Sequence, residues 1–135
     1  MAKIIYNKII PFKGYTAMAL LPFIFSRVKE LKDYVVNHES IHLRQQLEML
    51  IVGAAIAIVM FVLGCGWWSL MPLPLFLWWY GIEYLIRLWI YNNYNQAYRN
   101  VAMEQEAYIH QNDMEYLANR KVFAWVRFLG KTTFR

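Results

Sequence analysis

The residues His38-Glu39-Ser40-Ile41-His42 form an H-E-x-x-H motif. Residues four apart on a helix share one face, so both imidazoles can reach one metal ion, and Glu39 is placed to act on a water held by that ion. Activating a water in this way is the chemistry of metal-assisted hydrolysis. The chain has 3 histidines, two of them in the motif. Its apolar bulk offers few other metal-binding groups.

Catalytic zinc takes three protein ligands and leaves a fourth position open. The segment from Asn100 to Tyr108 supplies Glu104 and Glu106. Successive helix positions turn by about 100°, so residues two apart point to nearly opposite faces and one glutamate alone can serve. We take Glu104 as the third ligand, with Glu106 the alternative. Asn100 and Tyr108 lie four residues to either side of Glu104 and are expected on its face, where they would hydrogen-bond to the ligand set. His110 sits about 240° round from Glu104 and reads as a surface histidine.

The elements that must hold these groups are set by composition. Hydrophobic residues make up 59% of the 135 and charged residues 17%, which excludes a disordered chain and fits a single domain. Between Leu47 and Tyr91 only Glu48, Glu83 and Arg87 carry charge, so this block reads as membrane rather than core. The basic residues Lys3, Lys8, Lys13, Arg27, Lys29 and Lys32 precede it, and Arg120, Lys121, Arg127, Lys131 and Arg135 follow it. A net charge of +5 distributed in this way suits contact with anionic lipid, and no nucleic-acid partner is expected. Cys65, the single cysteine, allows no internal disulfide. Nothing after Met1–Ile5 marks a cleavable signal peptide.

Residues 1–32 are expected to form a short β or interfacial segment. Lys3–Ile10 is β-branched and aromatic, Pro11–Gly14 punctuates it, and Tyr15–Ser26 is interrupted by Pro22. From Asp33, read as the N-cap, a helix carrying the motif runs into a first membrane crossing over residues 33–68. Leu47–Trp68 is about 30 Å long at ~1.5 Å per residue, enough to span. A second crossing is expected over residues 70–91. The pair makes a transmembrane hairpin with an uncharged turn and basic outer ends, so the positive-inside rule puts both termini and the motif on the cytoplasmic side of what reads as a bacterial inner membrane. Residues 92–135 read as a polar, Glu-bearing helix followed by a basic interfacial tail. Glu83 and Arg87, spaced i, i+4 inside the second crossing, are expected to pair structurally.

The motif together with Glu104-Gln105-Glu106-Ala107 resembles the gluzincin metallopeptidases, in particular the integral-membrane group related to the CAAX prenyl proteases. Their pattern is H-E-x-x-H on one helix and E-x-x-A-D on another. Here Tyr108 stands at the Asp position. The run His38 to Gln46 also resembles H-E-x-x-H-x-x-Q-Q of small bacterial zincin-like membrane proteins. The resemblance implies that His38, His42 and Glu104 bind Zn²⁺, and that Glu39 takes a proton from the zinc-activated water and returns it to the leaving amine. It also implies an oxyanion partner, for which Tyr108, Tyr98, Arg99 and His110 are candidates. A peptide or membrane-protein substrate would be cut near the cytoplasmic face, held by β-addition to Tyr15–Phe25. The small size implies a second copy or an accessory subunit. The alternative reading is a non-enzymatic scaffold or accessory protein with a zincin-like helix. A di-iron oxidase fits worse, because Glu-x-x-His occurs only at Glu39–His42.

Overall fold

The computed structural model describes residues 3–9 and 15–135. The chain is mainly helical (59%), with a short three-stranded sheet and one long apolar helix. Strands β1 (Lys3–Tyr6), β2 (Ala17–Leu20) and β3 (Phe23–Ser26) are arranged in the order β1-β3-β2. The expected punctuation at Pro11–Gly14, and Ile10 before it, lie outside the described residues. Strands β2 and β3 form an antiparallel hairpin that pairs Ala19 with Ile24 and turns at Leu21–Pro22 across a cis peptide bond. β1 runs parallel to β3. Alternation places Ile24 and Ser26 inside, where Ala19, Ile24 and Leu43 make a small apolar cluster.

Helix α1 (Asp33–Val62) follows, 30 residues and roughly 45 Å long. Its N-cap is Lys32 rather than the expected Asp33, because Lys32 holds the extended backbone (φ −66°, ψ 149°) that a cap requires. Asp33 instead begins the helix, where its charge complements the N-terminal dipole. The two halves of α1 differ. Asn37, His38, Ile41, His42, Gln45, Met49 and Gly53 form a buried stripe, whereas Ile58, Phe61 and Val62 are exposed. α1 is long and apolar enough to cross a membrane. It stops at Val62 instead of continuing to Trp68, since Gly64 (φ 83°) and Gly66 (φ 58°) turn the chain through left-handed backbone into a 3₁₀ turn at Gly66–Leu70.

Helix α2 (Leu75–Tyr91) begins five residues after the expected Leu70, because Pro72 and Pro74 cannot sit inside a helix. Its 17 residues fall short of the ~20 that a perpendicular span needs. The loop before α2 crosses α1 at Gly53, where an added Cβ would lie 2.3 Å from the Pro72 carbonyl oxygen. Only glycine permits that approach.

The single polar helix expected after Tyr91 is instead broken into α3 (Tyr94–Arg99), α4 (Ala102–His110) and α5 (Tyr116–Asn119), followed by a 3₁₀ turn at Ala124–Phe128. Asn93 caps α3 by accepting from the Gln96 N–H. The main core gathers Met49, Val101, Ala102, Met103, Trp125 and Phe128, so α4 is wedged between α1 and the C-terminal turn. The basic tail is not loose on a surface, because the Asn100 Oδ1 accepts from the Thr133 and Phe134 N–H groups and ties it to the core. Glu83 and Arg87 pair at 2.9 Å as expected. Glu83 also accepts from the Ala102 N–H at the start of α4.

Candidate metal centre

Helix α1 presents His38 and His42 one turn apart, and α4 lies across them so that Glu104 completes a buried His/His/Glu group able to hold a metal ion. The two Nε2 atoms are 3.2 Å apart, and each lies 3.3 Å from Glu104 Oε2. Donors at zinc-like bond lengths of about 2.0–2.1 Å, set tetrahedrally, would stand about 3.3–3.4 Å from one another. The triangle therefore has the dimensions of one face of such a tetrahedron.

Each ligand is oriented from behind. His38 Nδ1 donates to Gln111 Oε1 at 3.0 Å and His42 Nδ1 donates to Gln45 Oε1 at 2.8 Å, which turns both Nε2 atoms inward. Gln45 is itself held by its Nε2, which donates to the Met103 carbonyl and to Glu106. Tyr80 donates its hydroxyl to Glu104 Oε1 at 2.7 Å. Glu104 Oε2 is buried and has no hydrogen-bond partner among the described residues. Burial pushes the Glu104 carboxyl up, but the imidazoles beside it win and hold it well below the usual carboxylate range.

The backbone around the centre is braced across long sequence distances. Asn37 Nδ2 donates to the carbonyl oxygens of His110, Gln111 and Asp113, pinning the end of α4 to α1. That clamp brings Gln111 to His38. Glu39, on the neighbouring face of α1, accepts from the Ala19 N–H at 2.8 Å. Glu39, His42, Glu104 and Tyr98 line one cavity of about 440 Å³.

Packing separates the two glutamates. Glu106 faces away from the histidines and is consumed by Gln45, Tyr116 and Arg120, whose guanidinium also pairs with Glu48. Glu104 is the member of the cluster. Asn100 is not brought to the ligands: its Nδ2 donates to the Gln96 and Phe134 carbonyls. Tyr108 meets the site as an edge-on ring 4.7 Å from the His38 ring.

Of the candidates for charge stabilisation, Tyr98 alone lines the cavity with Glu39. Burial and the Glu104 carboxylate push its hydroxyl well above the ordinary tyrosine range, so it remains a proton donor. Arg99 lies over the Tyr108 and Phe134 rings, and His110 stacks on Tyr116 while facing Arg127. Burial, then Arg127, lowers the His110 pKa.

Gln45, Gln111 and Tyr80 were not singled out from the sequence. Gln45 had a signal in the H-E-x-x-H-x-x-Q spacing, which puts it one turn beyond His42. Gln111 and Tyr80 reach the site from distant segments and had none. Comparison with family models, curated proteins and solved structures found no match for the chain.

Proposed function

We propose that this chain is a membrane-embedded, zinc-dependent metallopeptidase that hydrolyses amide bonds at the cytoplasmic membrane face. The observation that carries the reading is Glu104 Oε2, a buried carboxylate oxygen left bare beside two inward-aimed imidazole nitrogens. A cation of zinc's size and ligand preference satisfies all three donors, and His₂Glu is a ligand set of zinc hydrolases. The bound ion would polarise a carbonyl and acidify a water.

The chain's own residues supply the rest. Glu39, beside His38 and open to the cavity, takes the proton from the attacking water and hands it to the departing nitrogen. The Tyr98 hydroxyl donates to the oxygen on which negative charge develops. Tyr80 holds Glu104, and the two glutamines hold the imidazoles, so the site is organised before substrate arrives.

Membrane placement rests on the exposed apolar faces. Ile58, Phe61 and Val62 of α1, with Leu77, Ile82, Leu85 and Trp89 of α2, point outward, as lipid-facing residues do. In this reading α1 and α2 form a transmembrane hairpin. The basic flanks then set the termini and the metal centre on the cytoplasmic side. The likeness to the gluzincin membrane peptidases belongs to the same proposal.

Metal content of detergent-purified protein tests it. About one zinc per chain is expected for the wild type, with none retained by His42→Ala or Glu104→Ala. Absence of metal after zinc loading, or full retention in both variants, overturns the reading and favours the scaffold.

A further inference from the structure

Two cavities adjoin each other beside the metal centre. The first, of about 440 Å³, is lined by Glu39, His42 and Glu104 and, over most of its wall, by hydrocarbon such as Met18, Leu20, Leu50, Phe76 and Leu77. It lies between the hairpin and the apolar parts of α1 and α2. The second, of about 730 Å³, shares Tyr15, Tyr80 and Tyr98 with the first and adds Tyr84, Tyr108 and Arg99. Arg99 stacks on the Tyr108 and Phe134 rings and forms no ion pair among the described residues. A largely apolar chamber lined by His42 and Glu104 thus adjoins a cationic, phenolic one through the tyrosines they share.

A third observation bears on what can lie there. The Ala19 N–H is taken by Glu39, while the Ala19 carbonyl and the Leu21 N–H are both taken by Gln46, at 2.9 Å and 2.8 Å. These are the outward groups of the edge strand β2. A substrate added as a strand would need them. The β-addition expected for Tyr15–Phe25 is therefore blocked at Ala19–Leu21 by α1.

We propose that the hydrolysed bond is the amide of an N-acyl amino acid. This assignment rests on the hydrolase reading above and names its substrate class. The acyl chain fills the hydrocarbon chamber, the amide carbonyl faces Glu39, His42 and Glu104, and the amino acid carboxylate meets Arg99 and the tyrosine hydroxyls. Water adds its oxygen to the acyl carbon as the C–N bond breaks. One water proton passes through Glu39 to the nitrogen, and the products are a fatty acid and a free amino acid. No other reactant is needed. Such a molecule divides into an apolar and an anionic part as the paired cavities divide into an apolar and a cationic one, and it asks for no strand edge.

Photolabelling of the full chain in lipid nanodiscs tests this. The probe is N-decanoylglycine with a diazirine near the end of its chain, used with Glu39→Gln so that it is not turned over. Labelling is expected at Leu20, Leu50 or Leu77 and is displaced by unlabelled N-decanoylglycine. Arg99→Gln should weaken that displacement about tenfold, as loss of a charge-assisted contact does, while Arg99→Lys restores most of it. Leu50→Trp, which fills the chamber without touching the ligands, should abolish specific labelling. Label spread over Ile58, Phe61 and Trp89 without displacement overturns the proposal. So does displacement that an N-acetylated, C-amidated apolar peptide matches, or that Arg99→Gln leaves unchanged. Zinc content of the same samples separates the two readings: zinc bound with unspecific labelling sinks the substrate class alone, whereas specific labelling without zinc sinks the hydrolase and leaves the binding site.

Discussion

Helix α4 carries two buried glutamates two residues apart, and they sit in opposite kinds of surroundings. Glu106 is enclosed by Gln45, Tyr116 and an Arg120 guanidinium shared with Glu48, so both of its oxygens are paired. Glu104 receives one hydroxyl, from Tyr80, and its second oxygen has no partner within the fold but the two imidazole Nε2 atoms 3.3 Å away. A fully paired charge cluster holds a fold together, and an incompletely paired one of the same depth waits for something from outside. Burial alone does not tell them apart. The inventory of hydrogen bonds does.

Breaking the paired side should have the largest effect. Arg120→Ala leaves Glu48 and Glu106 facing each other without a cation, and we expect a loss of about 3–5 kcal/mol in chemical unfolding of detergent-solubilised protein. Zinc should raise the stability of the wild type by about 2.7 kcal/mol at a hundredfold excess over its dissociation constant. Glu104→Ala should remove that increment, and an undiminished increment would show that the ion sits elsewhere. Gln111→Ala frees the His38 ring without touching Glu106, and a rise in the zinc dissociation constant of about 10–100-fold is expected by competition with a chelator.

The smallest effect is that of acid on the metal-free protein. Glu104 is held below its ordinary value of 4.5, so its contribution to stability is present above that pH and is lost as pH falls further, toward the folded value. The same unfolding experiment across pH 6 to 3 should show an acid-dependent loss in the wild type that is smaller in Glu104→Gln. Equal losses would mean that the imidazoles do not stabilise the carboxylate.

The ligand triad was legible because it depends on short-range geometry. His38 and His42 are one turn apart on an unbroken helix, and the opposed directions of Glu104 and Glu106 follow from helical rotation alone. Asn100 misleads for the same reason. Counting four residues back from Glu104 assumes one continuous helix, but the chain breaks at Asn100–Val101 between α3 and α4, and Asn100 spends its amide on capping and on the tail. The clamp from Asn37 to the end of α4 spans more than seventy residues of sequence, and no local pattern announces it. Strands β1 and β3 were readable from their β-branched and aromatic residues, whereas β2, Ala17-Met18-Ala19-Leu20, has none, and no local pattern showed that Gln46 would close its edge. The early start expected for α2 failed to a local rule, the exclusion of proline from helix interiors.

In the proposed hydrolase, the bond between the Ala19 amide and Glu39 would decide which role an ion can take. A carboxylate one residue from a ligand histidine is a natural fourth donor, and four protein donors make a saturated, inert site of the kind found in zinc fingers. Moored to the sheet by the Ala19 backbone N–H, which of all substitutions only proline would remove, Glu39 would be kept from collapsing onto the ion. If the group holds a hydrolytic ion as proposed, the strand is the tether that keeps a coordination position exchangeable, and loosening the hairpin should turn a reactive centre into a silent one.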